Sequence, residues 1–210
     1  MSKGLLLIGA GGHAEACIEV IESARLKVYG LIDRPDRVGQ TVLGYPILGT
    51  DDDVPRLAAE SDGALVTVGQ IRSPELRIAL YERLVELGLA RPVIVAASGC
   101  VSRHACIGAG TIVMHGAIVN AGARVLENAI INSQALIEHD AEISDHCHVS
   151  TGAIVNGGAR IGRASFIGSG AVIGEGVSIG ANSVIGAGNI LLGDQPANTV
   201  IKGGTWPTRS

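Results

Sequence analysis

Two hydrophobic rhythms divide the chain. From about residue 4 to 97, short apolar runs alternate with amphipathic segments. GLLLIGAGG (4–12) reads as a buried strand ending in a glycine-rich turn, and the segment after it places Ala14, Cys17, Ile18, Ile21 and Ala24 at helical spacing. KVYGLID (27–33), GALVTVG (63–69) and RPVIVA (91–96) read as further strands. Between the last two, SPELRIALYERLVELG predicts a helix with Ser73 as N-cap, Pro74 at its first position and Gly88 as terminator. Alternation of this kind predicts a small parallel sheet flanked by helices.

The second rhythm has a period of six. From Val101 to Leu191 every sixth residue is Val, Ile or Leu, sixteen of sixteen without a slip. Two positions before an anchor the side chain is usually small, as at Ala117, Ala135 and Ala153. The position after an anchor is often Gly or Asn, as at Gly108, Asn120, Asn132 and Gly162, and these types tolerate positive φ, so a corner is expected there. A six-residue period predicts a β-helix with three short strands per coil and about five coils. The expected fold class is therefore α/β plus β: a small Rossmann-like domain over 1–97, then a β-helix with a C-terminal tail over 98–210.

Composition narrows the function classes. With 210 residues and a net charge of −4, the chain shows no electrostatic footprint for nucleic acid or an anionic membrane. Hydrophobic residues make up 47% but aromatics only 2%, so the core must be aliphatic. Four cysteines show neither CxxC pairing nor zinc-ligand spacing and read as reduced thiols. The apolar run in MSKGLLLIGAGG is too short for a signal peptide or a membrane span, so a cytoplasmic protein is expected.

Candidate chemistry concentrates in LIEHDAEISDHCH (136–148), which holds three of the six histidines and four acids. The hexad register turns Ile137, Ala141, Ile143 and Cys147 inward and leaves Glu142 and Asp145 solvated. His139 with Asp140, and His148 half a coil later, remain for chemistry. An imidazole beside a carboxylate suits a general base near neutral pH. Adjacent residues do not naturally point the same way, so pairing needs a bent backbone or a second subunit. One coil below His139 is Ala121 and one above is Gly157, which leaves room for a ligand. His104, His115 and His146 read as solvated. A metal cage competes, but no pair of histidines has the five-residue spacing of zinc-binding hexapeptide proteins.

A second motif lies near the N-terminus. Gly9-Ala10-Gly11-Gly12-His13-Ala14 matches G-x-G-x-x-A between a strand and a helix, with Asp33 about twenty residues on. Glycines let the backbone approach phosphate, and a helix N-terminus favours negative charge. Taken alone this is a dinucleotide fingerprint, but the domain is only one mononucleotide-binding half. A tight turn that binds nothing is the alternative.

The hexads, in the form aliphatic–Gly–x–x–small–x, together with GAGGHA, the aspartate of GLIDR and the IEHD…HCHVS segment, resemble the bacterial hexapeptide-repeat sugar acetyltransferases of the bacillosamine and sialic-acid pathways. The resemblance runs from Gly4 to about Pro207. It implies a left-handed parallel β-helix, a homotrimer, and acetyl-CoA as co-substrate in a groove between neighbouring β-helices; from the histidine spacing no metal is expected. It further implies that His139 is the general base, that Asp140 orients it, and that His148 contacts the thioester or pantetheine. Asn132 fits an amide of the same site, or else a left-handed corner. Ser169 and Ala187 align with the CoA groove, and Gly157, one coil above His139, offers a backbone amide to polarise the thioester oxygen of the cofactor. Gly11, Gly12 and His13 would lie at the phosphates or sugar of a nucleotide sugar, Asp33 and Arg34 near its base, and Gly69 beside it. The expected reaction is transfer of acetyl to the amine of a UDP-4-amino-sugar type substrate. A sialic-acid-type O-acetyltransferase and a non-catalytic nucleotide-sugar-binding trimer remain alternatives. Trp206 in the tail packs on the CoA adenine or caps the last coil.

Overall fold

A computed structural model describes residues 3–70 and 73–203. Trp206 lies outside the described residues. The first unit runs β1 (Leu5–Ile8), α1 (Gly12–Ser23), β2 (Val28–Ile32), β3 (Thr41–Val42), β4 (Tyr45–Gly49), α2 (Val54–Ala59), β5 (Ala64–Val66) and α3 (Glu75–Glu86). Its sheet has the order β3-β4-β2-β1-β5, parallel except for the β3–β4 hairpin at the edge. β1 and β5 are buried throughout, which explains their unbroken apolar runs. α3 begins one residue later than expected; the Ser73 hydroxyl accepts the Glu75 N–H at 3.4 Å, and Gly88 takes φ +65 just past the helix.

One strand belongs elsewhere. RPVIVA contributes Ile94–Val95, which pairs with Ile112–Val113 of the β-helix and not with the first sheet. β5 is left as the edge of the first sheet, and β4 pairs with β2 on the other side. The β-helix therefore starts before the expected boundary at 97.

The second unit is a left-handed parallel β-helix of two-residue strands stacked in three sheets. The docking face holds the column Ile94, Ile112, Ile130, His148, Phe166, Val184 and Val200, and its upper part packs on α1. The apolar face carries Cys100, Ile118, Leu136, Ile154, Val172 and Ile190 outward. The charged face carries Cys106, Arg124, Glu142, Arg160 and Ser178. The hexad anchors and the small residues two positions before them fill the interior: Ile137, Ala141, Ile143, Cys147 and Val149 are all fully buried.

The corners differ from expectation in a way that matters for the site. Positive φ falls at the third residue after each anchor, every sixth position from Gly110 to Gly188, and not at the first. Asn132 is therefore no left-handed corner, whereas Asp140 (φ 58) and His146 (φ 59) are. The glycines directly after an anchor serve close approach between coils. A Cβ on Gly162 would sit 2.5 Å from the Ala181 nitrogen, and one on Gly168 would sit 2.5 Å from that of Ala187.

The two units share one core. α1 side chains Ala14, Cys17, Ile18 and Ile21 cluster with Ile94, Ile112 and Ile130. Arg77 of α3, only 1% exposed, donates to the carbonyls of Val66 and Val68 at 2.8 Å and reaches that of Asn128 at 3.4 Å. It ties the end of β5 to a β-helix corner with no carboxylate partner among the described residues, and burial pushes its guanidinium down to about 10.

Candidate active site

The expected site residues occupy two corners of the triangular coil. At the corner between the apolar and charged faces, His139 Nδ1 lies 3.0 Å from Asp140 Oδ2. The left-handed φ of Asp140 supplies the bend that lets sequence neighbours pair, and its N–H donates to Ala121 O at 3.1 Å. Because the carboxylate accepts, the proton sits on Nδ1 and the Nε2 lone pair faces outward. The hydrogen bond that His139 donates to Asp140 raises the His139 pKa above its ordinary value, helped by the charges of Asp140, Glu138 and Glu175. Both side chains are well exposed. Gly157, one coil on, borders the ring: a Cβ there would stand 2.8 Å from Nε2.

At the corner between the docking and apolar faces lies a different arrangement. His148 is 5% exposed, and its Nδ1 donates to Gln70 O at 2.6 Å. Its Nε2 must then accept, from Asn132 Nδ2 at 3.1 Å, while Asn132 Oδ1 accepts the Ser133 N–H at 2.7 Å. Burial pushes His148 down to about 4 and its neighbour His13 down to about 3, so both rings are neutral at ordinary pH. Their centroids are 6.4 Å apart, and the buried His13 Nε2 has no hydrogen-bond partner among the described residues. Ser150 and Ser169 share a 3.0 Å hydroxyl contact, and Phe166 packs edge-on against His148 at 5.1 Å. Together with Gly69, Gly168 and Ala187 these residues line a cleft of about 450 Å³.

That cleft opens into the glycine loop. A cavity of about 660 Å³ is lined by Gly9, Gly11, Gly12, His13, Asp33, Arg34, Arg37, Thr67 and Gly69, sharing His13 and Gly69 with the cleft. A Cβ on Gly11 or Gly12 would meet nothing within 4 Å, so the loop backbone faces open space. Asp33 is engaged: Oδ2 accepts from Ala10 N–H and Arg37 Nη1, both at 3.0 Å, and Oδ1 from Arg34 N–H at 2.7 Å. It fastens the loop, while the Arg34 side chain is exposed.

The expected set thus divides. Asn132, His148, Ser169, Ala187, His13 and Gly69 come together, with Gly11, Gly12, Asp33 and Arg34 adjoining. His139, Asp140 and Gly157 come together on the next corner. Gln70, Ser150 and Phe166 complete the cleft and carried no motif; only the stacking of 150 and 168–169 one coil apart hinted at the serine pair.

His146 departs from its solvated expectation. It is 6% exposed, 2.9 Å from Asn128 Nδ2 and edge-on to Tyr81, because α3 folds over it. It borders a cavity of about 970 Å³ between α3 and the charged face, whose lining includes none of the expected site residues. Among the described residues no three His, Cys, Asp or Glu groups gather as a metal cage, and no helix is long and apolar enough to cross a membrane.

Fold and corners define a hexapeptide-repeat acyltransferase with a Rossmann-like domain in front. Comparison with known proteins agrees. The PglD N-terminal domain family matches residues 4–84, and the bacterial transferase hexapeptide (six repeats) family matches 158–193. Among solved structures, PerB from Caulobacter crescentus, in complex with CoA and GDP-perosamine, is 31% identical with a TM-score of 0.89, over 95% of this chain and 94% of that one. The acetyltransferase domain of PglB from Neisseria gonorrhoeae FA1090, in complex with acetyl coenzyme A, is 31% identical with a TM-score of 0.88, over 97% of both chains. WeeI from Acinetobacter baumannii AYE shares the fold at 19% identity and a TM-score of 0.74. No curated protein sequence matches. The chain belongs to the PglD family of hexapeptide-repeat sugar acetyltransferases.

Proposed function

We propose that the protein transfers acetyl from acetyl-CoA to the amine of a nucleotide-linked amino sugar, in a groove completed by two copies of the chain. His139 acts as general base. Its Nε2 takes a proton from the amine as nitrogen attacks the thioester carbonyl; the tetrahedral intermediate then collapses, forming the amide and releasing the CoA thiolate, which is protonated. Asp140 holds the imidazole in the tautomer that leaves Nε2 free. The observation that carries this reading is the 3.0 Å His139–Asp140 pair at a left-handed corner, with Nε2 outward beside Gly157.

One copy holds His139 on one corner and the His148 cleft on another, so a single chain has only halves. The outward column of the apolar face supports a threefold assembly. Ile118 is 39% and Ile190 66% exposed, and the whole column is apolar, whereas the next face alternates charge. Packing apolar faces around an axis brings the His139 corner of one copy against the Asn132–His148 corner of the next. There the second Asn132 amide hydrogen is free to polarise the thioester oxygen, and Ser150, Ser169 and Ala187 line the pantetheine path. His148 serves by fixing Asn132, since its Nε2 has no proton to donate. The glycine-loop cavity receives the pyrophosphate and directs the sugar toward the cleft.

The test is turnover of acetyl-CoA with nucleotide-linked amino sugars, with the N-acetyl product identified by mass. His139→Ala should cost about 10²–10⁴ in rate. A loss below about fivefold, with fold and assembly intact, would reject His139 as the base.

A further inference from the structure

We propose that the nucleotide pocket reads guanine, in preference to the uracil expected from the sequence. This rests on the reading of the glycine-loop trough as a nucleotide-sugar site. Beyond Asp33 the trough continues into a second cavity of about 500 Å³, sharing Gly9, Asp33, Arg34 and Val68 with the first. Its walls include Ile8, Ile32, Val68 and Leu80, and Leu76 stands at its mouth 60% exposed. These apolar surfaces suit the faces of a planar base.

The rim decides which base. Asp51, Asp52 and Arg83 line it, and none of their side chains has a hydrogen-bond or ion-pair partner among the described residues. The neighbouring Asp53 is instead committed, to Thr50 N–H at 2.9 Å and to Arg56 at 3.1 Å. Asp33 is likewise occupied with the loop and Arg37, so it does not read the base. Carboxylates only accept and a guanidinium only donates. Guanine presents one acceptor, O6, beside two adjacent donors, N1–H and the N2 amino group, which a carboxylate takes as a pair. Uracil presents acceptors on both sides of its single N–H, so a carboxylate that bonds N3–H also faces an exocyclic oxygen with no proton to share. Adenine and cytosine set a bare ring nitrogen beside their amino groups and meet the same repulsion. Two acceptors and one donor around an apolar slot complement guanine alone.

Calorimetric titration of the full-length protein with GDP, UDP and IDP tests this. GDP should bind about 10- to 100-fold tighter than UDP, and IDP, which lacks the N2 amino group, should fall between them. The isosteric double variant Asp51→Asn with Asp52→Asn should bring GDP and UDP within about threefold, with the shared pyrophosphate contacts retained. UDP binding as tightly as GDP, IDP matching GDP, or a preference unmoved by the double variant would overturn the guanine assignment and leave the trough intact as a nucleotide site. Failure of GDP and UDP alike would overturn both.

Discussion

His139 and His148 lie nine residues apart, half a coil, yet their rings live under opposite physics. His139 stands on an outer corner, its pKa raised by Asp140 and its lone pair turned to solvent. His148 lies under the N-terminal domain, pushed down to about 4, with both nitrogens engaged by Gln70 and Asn132. The repeat places both at defined register positions but sets neither proton. The left-handed corner does so for His139, and domain docking does so for His148. On the proposed mechanism, a base and a scaffold are thus made from the same residue type.

The largest effect should come from separating the two corners. Ile154→Glu on the apolar face would bury a carboxylate in the proposed contact between copies. Light scattering after gel filtration should show loss of the trimer, and turnover should fall by at least about 10²-fold. An active variant that no longer assembles would mean that one copy suffices.

Asp140→Asn separates the two histidines through pH. A base works deprotonated, so a raised pKa places the acid limb of kcat/KM above the ordinary 6.5 of histidine. Removing the carboxylate should move that limb to lower pH and cost about tenfold in rate. The same limb should stay in place in His148→Gln, because His148 is neutral throughout that range. A limb that follows His148 would reverse the assignment.

Two glycines separate chemistry from packing. Gly157→Ala puts a methyl against the His139 ring, which can swing away because it is exposed. Activity should fall about tenfold with the melting temperature little changed. Gly162→Ala drives a methyl into the backbone of the next coil and should cost about 1–3 kcal/mol in denaturant unfolding, with kcat preserved in the folded fraction.

The smallest effect is on acid stability. His13 and His148 have folded pKa values of about 3 and about 4, below the unfolded 6.5. The unfolded chain binds these protons first, so their contribution is present above pH 6.5 and is lost as pH falls toward 4. His139 runs the other way, but its exposure leaves little to detect. Denaturant midpoints between pH 7 and pH 4.5 should slope less in His148→Phe than in the wild type. Equal slopes would show that His148 is not held neutral by burial.

Much of the fold was legible because period six is a local signal. Anchors such as Ile137, Val149 and Ile161 announce an inward side chain whatever surrounds them. Asp140 was recognisable as a partner of His139, but the positive φ that makes the pairing possible was assigned to the wrong corner position. Gly and Asn after each anchor suggested φ, whereas the glycines there answer the close approach of the next coil, as at Gly162 and Gly168. Contacts between the two units left no periodic mark. Ile94–Val95 reads as a strand of either unit, and only the stacking on Ile112 decides. The burial of His146 by α3, and the capture of His148 by Gln70, come from residues 65 and 78 positions away in the chain. The β3–β4 hairpin escaped because two-residue pairing around Leu43-Gly44 has no alternation to read.

Complementation tests most directly the proposal that one active site is built from two copies. His139→Ala lacks the base, and Asn132→Ala lacks the opposite corner, so each alone should be nearly inactive. Unfolded together in equal amounts and refolded, the two should regain roughly a quarter of wild-type activity, since random threefold rings of mixed composition each hold one intact groove. Activity no higher than that of the separate variants, with mixed trimers verified by mass, would contradict the shared site.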